Sequence, residues 1–142
     1  MKVVLDTNVL VSGLLTPFAP PGEIVRLVVA GRIQPCLDAR LMAEYVAVLH
    51  RPKFHFDVDA VATLLNFLMH TGHFVAAETL PHLLPDPDDQ PFLEVALAGQ
   101  ADCLITGNQR HFPAALCQGQ RVLAPAEFIR HYRQQARRAQ TD

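Results

Sequence analysis

Carboxylate and amide side chains recur at intervals along this sequence, in Asp6-Thr7-Asn8, at Glu44, in Asp86-Pro87-Asp88-Asp89 and in Thr106-Gly107-Asn108. If Asp6, Glu44 and Asp89 converge on one crevice, their mutual repulsion raises their pKa values, and a hard cation relieves it. Mg²⁺ and Mn²⁺ favour such oxygen ligands and leave coordination positions for water and substrate phosphate. The chemistry that this supports is phosphodiester hydrolysis. Each residue also has a plainer reading. Asp6 can cap a turn. Asp88 or Asp89 can serve as a helix N-cap near Pro91. Glu44 can be a solvated helix residue and Asn108 a turn residue. Only joint placement separates the two accounts.

The elements around these residues supply that placement. Lys2 to Leu5 is a short, β-branched apolar run, as expected of a strand buried on both faces of a parallel sheet. Pro17, Pro20, Pro21 and Gly22 break the chain, and Glu23 to Ala30 is spaced as a helix stopped by Gly31. Ile33 to Leu37 reads as a strand weakened by Pro35, which lacks a ladder donor. Asp38 caps a helix from Ala39 to His50 that stops before Pro52. Val58 to Thr71 is a helix closed by Gly72, and His73 to Ala76 an edge strand. After the loop Pro81 to Pro87, Gln90 to Ala98 is helical. Asp102 to Ile105 and Arg121 to Leu123 are strands, and Pro125 opens a last helix. The basic, polar tail from about residue 134 is expected to fray. Strands alternating with helices of about ten residues imply βαβ units and a parallel sheet covered by helices. Ligands of such sheets bind beyond the carboxyl ends of the strands, where strand order reverses. Asp6 and Asn108 are expected to face each other there.

The bulk numbers limit the classes open to the chain. Its 142 residues fit one domain, and a chain of this size buries roughly two-thirds of its unfolded surface. With 50% hydrophobic and 18% charged residues it is composed as a globule. A net charge of −2 leaves a polyanionic partner dependent on a local basic patch or a metal ion. Of the three cysteines, Cys36 and Cys103 sit in apolar runs and read as core residues, which suits a reducing compartment. The opening run lacks the layout of a signal peptide, and no stretch approaches the roughly 18 apolar residues of a membrane span. The expectation is a cytoplasmic protein without a membrane segment.

The run Val3-Val4-Leu5-Asp6-Thr7-Asn8-Val9-Leu10-Val11-Ser12 resembles the opening of PIN-domain proteins, among them the toxin nucleases of toxin–antitoxin pairs. Further blocks follow in order: Glu44-Tyr45 ahead of Val48 to Phe54, Asp86 to Ala96, Ala101 to Pro113, and Pro125 to Phe128. The resemblance spans roughly residues 2–130. It implies a three-layer α/β/α domain over the whole chain, with a parallel sheet of four to five strands in order 3-2-1-4-5. It also implies Mg²⁺- or Mn²⁺-dependent cleavage of single-stranded RNA by a homodimer, with an antitoxin protein as a further partner. Asp6, Glu44 and Asp89 match the family's acidic metal ligands. Asn108 stands where many members carry a fourth aspartate, Thr106 matches the threonine before it, and Asn8 the polar residue that steadies the first aspartate. An amide at 108 keeps an oxygen ligand and loses a charge, which weakens any second metal.

Other candidates carry less. The histidines show neither HExxH nor zinc-finger spacing. His111, directly after Gln109-Arg110, is a candidate phosphate contact, and Ser12 a candidate substrate neighbour without the context of a hydrolase elbow. Phe18, beside the prolines, is a candidate for base stacking. Asp102, ahead of its strand, belongs at the far end of the sheet. One alternative is a non-catalytic PIN-like module that binds RNA or protein, for which the amide at 108 is the clue. A receiver or phosphatase domain with Asp6 as phosphoacceptor lacks the Asp-x-Asp opening and a lysine after the fourth strand.

Overall fold

The computed structural model describes residues 1–141. Strands β1 (Lys2–Leu5), β2 (Gln34–Leu37), β3 (His73–Phe74), β4 (Cys103–Ile105) and β5 (Val122–Leu123) form one sheet in the order β3-β2-β1-β4-β5. Every neighbouring pair is parallel. Helices α1 (Thr7–Leu15), α2 (Pro20–Val29), α3 (Ala39–Leu49), α4 (Val58–Thr71), α5 (Gln90–Ala98) and α6 (Pro125–Thr141) cover it. The strand order is the one that the resemblance implied, and the sheet reverses between β1 and β4.

The central strands are short because every residue in them must be covered on both faces. Val3, Val4 and Leu5 of β1 and all of β4 are at most 1% exposed, and burying each such aliphatic side chain stabilises the fold by about 1.5–3 kcal/mol. Cys36, Cys103 and Cys117 are likewise buried and free. Pro35 is tolerated within β2 for a geometric reason. The Gln34 N–H donates to the Met1 carbonyl on the β1 side, so the alternation of the ladder aims the N–H that Pro35 lacks toward β3. There the Gln34 side-chain amide donates instead to the Thr71 carbonyl, at 3.1 Å.

Helix starts agree with local chemistry. Asp38 caps α3 by accepting from the Arg40 and Leu41 N–H groups. Helix α2 begins at Pro20, earlier than the apolar spacing indicates, because prolines suit the first turn. Arg40 bridges Asp38 and Glu94, the latter at 2.7 Å, tying α3 to α5. Glu94 also accepts from the Leu80 N–H. The tail expected to fray is helical to Thr141. Phe128 and Ile129 anchor α6 in the core, and the Ala, Gln and Arg beyond them are strong helix formers.

Tyr45, fully buried on α3, donates its hydroxyl to the Leu5 carbonyl at the end of β1. This bond fixes α3 against the strand that delivers Asp6. Replacing Tyr45 by Phe leaves a buried carbonyl without that donor and should lower stability by about 1–3 kcal/mol. Urea unfolding checks this: the midpoint falls while the slope is unchanged.

Candidate metal centre

At the carboxyl edge of the sheet lies a crevice of about 330 Å³, lined by Asp6, Thr7, Asn8, Val11, Ser12, Glu44, Val48, Arg51, Phe54, Asp88, Asp89 and Phe92. Asp6 and Asp89 are both at N-cap positions, of α1 and α5, yet neither side chain makes a capping hydrogen bond. Helix N-capping therefore accounts for neither side chain. Each carboxylate instead faces other partners, while the positive ends of two helices lie beside them.

Asp6 is held hardest. Its Oδ2 accepts from Thr106 Oγ1 at 2.8 Å and from Asn8 Nδ2 at 3.3 Å. The Asn108 N–H donates to Thr106 Oγ1 at 3.0 Å, so the threonine hydrogen is left for Asp6. Asn8 Oδ1 accepts from the Gly107 N–H at 3.0 Å. A Cβ on residue 107 would stand 3.3 Å from that oxygen, which is a reason for glycine there. Burial raises the Asp6 carboxyl above its ordinary pKa. The Thr106 bond, with smaller contributions from the Thr7 N–H, His111 and Asn8, opposes the shift without cancelling it.

Asp89 is 8% exposed, and its Oδ2 is buried without a hydrogen-bond partner. His111 Nδ1 lies 2.9 Å from that oxygen, an ion pair when the imidazole carries its second proton. Burial, with the negative charge of Asp6 second, pushes the Asp89 carboxyl up to about 6, against the pull of His111. Asp86, Asp89 and His111 each present a ligand atom within 4.8 Å of the others. The Asp86 carboxylate accepts from the Asp88 N–H, and Gln90 closes the loop by accepting from the Leu84 N–H. Glu44, half-buried on α3, accepts from the Thr7 hydroxyl, and only its Oε2 is used.

The donor set fits a divalent cation. Desolvated carboxylates share a small crevice, and one buried oxygen lacks the partner that such an oxygen normally has. Asp6, Glu44, Asp89, Asn8 and Ser12 are brought together there. Thr106 stands behind Asp6, and His111 flanks Asp89. Asn108 is exposed and absent from the crevice wall; its contribution is the backbone N–H. Phe18 is 96% exposed and also outside the crevice. Asp102 lies at the opposite edge of the sheet, accepting from the Lys2 N–H. Asp86 joins the site from the acidic run named above, and Arg51 and Phe54 are neighbours that spacing alone did not single out. The doubled aspartates after Asp86 and the cationic, aromatic run Arg51 to Phe54 were the available signals.

The PIN domain family model matches residues 2–110, well over half of the sequence, and the chain belongs to the PIN domain family. PIN domains are generally nucleases with divalent metals at an acidic centre. An uncharacterized protein of Methanocaldococcus jannaschii is 27% identical over 112 residues, a span that covers 77% of this chain and 72% of that protein. No solved structure matches the chain. Among the described residues no helix is long and apolar enough to cross a membrane.

The raised carboxyls carry a stability signature. A carboxyl whose pKa is higher folded than unfolded favours the fold below the unfolded value, and that contribution is lost as pH rises through the folded one. For Asp89 the window runs from about 4, the unfolded value, to about 6. In EDTA, Asp89→Asn should therefore gain stability over the wild type between pH 4 and 7, by roughly 2–3 kcal/mol. Thermal or urea unfolding of the pair across that range measures it. A difference that does not change with pH overturns the assignment of strain to Asp89.

Proposed function

We propose that this PIN domain is an endoribonuclease that hydrolyses single-stranded RNA with Mg²⁺ or Mn²⁺. The observation that carries this reading is the pair of desolvated carboxylates, Asp6 and Asp89, turned away from the helix ends they occupy and toward one crevice. Two buried acids with no capping role are costly, and a substrate-linked cation is what makes the expense useful.

Asp6, Glu44 and Asp89 would hold the ion. When bound, it supplies a water of lowered pKa and neutralises charge on the phosphate. The chain's own residues set the geometry. Thr106 and Asn8 fix the position of Asp6 and favour its ionised form against the effect of burial. The Thr7 hydroxyl fixes Glu44 through Oε2, which leaves Oε1 to orient the attacking water. His111 places a cation beside Asp89 when protonated, and Asn108 steadies Thr106 through its backbone. Ser12, half-buried on the wall of α1, is placed to meet the ribose or phosphate. Within the cell we read the protein as the cytoplasmic toxin of a toxin–antitoxin pair and as a homodimer, both on the resemblance of its opening motif.

Cleavage with Mn²⁺ should yield 5′-phosphate and 3′-hydroxyl ends, because water rather than the ribose 2′-hydroxyl attacks phosphorus. Asp6→Ala and Asp89→Ala should each abolish it, and calorimetry should show weakened Mn²⁺ binding in both. Asn108→Asp should leave Mn²⁺ binding little changed, because the side chain at 108 is exposed outside the crevice. Cyclic 2′,3′-phosphate ends, or cleavage indifferent to EDTA, would defeat the mechanism. A folded, metal-loaded wild type inert on a broad RNA panel would favour the binding module.

Assembly is tested separately. Light scattering across micromolar concentrations should report the mass of two chains, and a monomer throughout removes the dimer.

A further inference from the structure

The crevice has one wall unlike the rest. Arg51 and Phe54 line the crevice together with the carboxylates, and both lie in the short segment, residues 50–57, that joins α3 to α4. Arg51 is exposed, and no carboxylate of the described residues pairs with it. It is a solvated cation on the rim of an acidic crevice. Phe54 is half-buried, but unlike Phe56 it does not pack against the hydrophobic core. Its packing partner is the Phe56 ring, stacked on it at 5.3 Å with planes 16° apart.

The backbone holds this arrangement in place. Pro52 opens a 3-10 turn over Pro52–Phe54, and His55 follows with φ 53°, in the left-handed region. A non-glycine residue is seldom found there. The reversal at His55 puts the rings of residues 54 and 56 together, so that Phe56, seated on the core, supports Phe54 as a fixed platform. Lys53 adds a second cation, its Nζ 5.1 Å from the Phe54 centroid. Such a contact is weak at an exposed site and readily exchanged.

We propose that Arg51 and Phe54 form a nucleotide subsite: Phe54 stacks on a base, and Arg51 holds the phosphate that links that nucleotide to the one in the crevice. Aromatic platforms flanked by cations are how proteins grip single strands without reading sequence, because every base offers a π-face. A duplex keeps its bases stacked on each other, so the same subsite selects single-stranded over double-stranded RNA. The cation answers a need that the carboxylates create, since a polyanion approaching a crevice of acids requires an attractive contact along its backbone. This inference rests on the RNA reading of the crevice and names the part of the site that grips the strand.

The test uses the full chain and a short RNA carrying 2-aminopurine, whose fluorescence is quenched on stacking, with Ca²⁺ in place of Mg²⁺ to hold cleavage off. The wild type should bind the strand and quench the probe at one position. Phe54→Leu keeps the apolar bulk and loses the π-face; it should abolish the quench and raise Kd roughly 5- to 100-fold. Phe54→Tyr should retain both, and Phe18→Ala should change neither. Arg51→Ala should weaken binding and lower the slope of log Kd against log salt by about 0.7, the value of one phosphate contact on a single strand. Melting curves confirm that each variant is folded. If Phe54→Leu binds and quenches as the wild type does, or Arg51→Ala keeps the full salt slope, the subsite is wrong while the RNA reading stands. If the wild type binds no single-stranded RNA, both fall together.

Discussion

The parallel pairing of β1 with β4 is the interaction on which the rest of this molecule hangs. The Asp6 N–H donates to the Ile105 carbonyl, and Thr106 Oγ1 donates back to the Asp6 carboxylate. One step further along, Asn8 Oδ1 accepts from the Gly107 N–H. Backbone and side chain thus lock the same register at the point where the sheet reverses direction. A slip of one residue would turn Asp6 out of the crevice and Leu5 out of the core together. The adjacent bond from Tyr45 to the Leu5 carbonyl brings α3 into the same frame, and Glu44 is the residue beside it.

That frame holds charge under tension. Asp6 and Asp89 are desolvated and repel each other, and both carboxyls titrate above their ordinary range. The helix ends, Thr106 and His111 offset part of this cost. A buried oxygen of Asp89 keeps no hydrogen bond of its own. Strain of this kind is unusual in a structural network, where buried polar groups find partners. Perturbed carboxyls of this kind cluster at functional sites. The contrast with Asp38 and Glu94 is instructive, because each of these carboxylates pairs with Arg40 and also accepts from backbone N–H groups.

The alternation of short apolar runs with helical periods was enough to specify a parallel α/β sheet, since burial on both faces admits only such strands. Asp6 and Glu44 were legible for the same reason: one follows a strand and the other stands on a helix with an apolar face. The contact of His111 with Asp89, and the meeting of Asp86 with both, were not legible, because they join residues on separate elements whose approach depends on loop closure. Phe18 and Phe54 make the point sharply. Both are aromatic and beside prolines, and nothing local distinguishes them, yet one is open to solvent and the other is on the crevice. The tail after residue 134 is helical despite its polarity, because Ala, Gln and Arg favour helix and Phe128 and Ile129 anchor it upstream.

The sequence by itself determined which elements form and which faces they bury, because propensity, periodicity and capping act over a few residues. It also determined which residue types were available for acid and metal chemistry. Only the tertiary structure decided which of them share an environment. Desolvation, charge coupling and hydrogen bonding between distant segments fall off within a few ångströms, and separation along the chain does not set separation in space. Asn108 shows the limit of each: its position after β4 was readable, but only the folded chain turned its side chain to solvent and gave its backbone to Thr106.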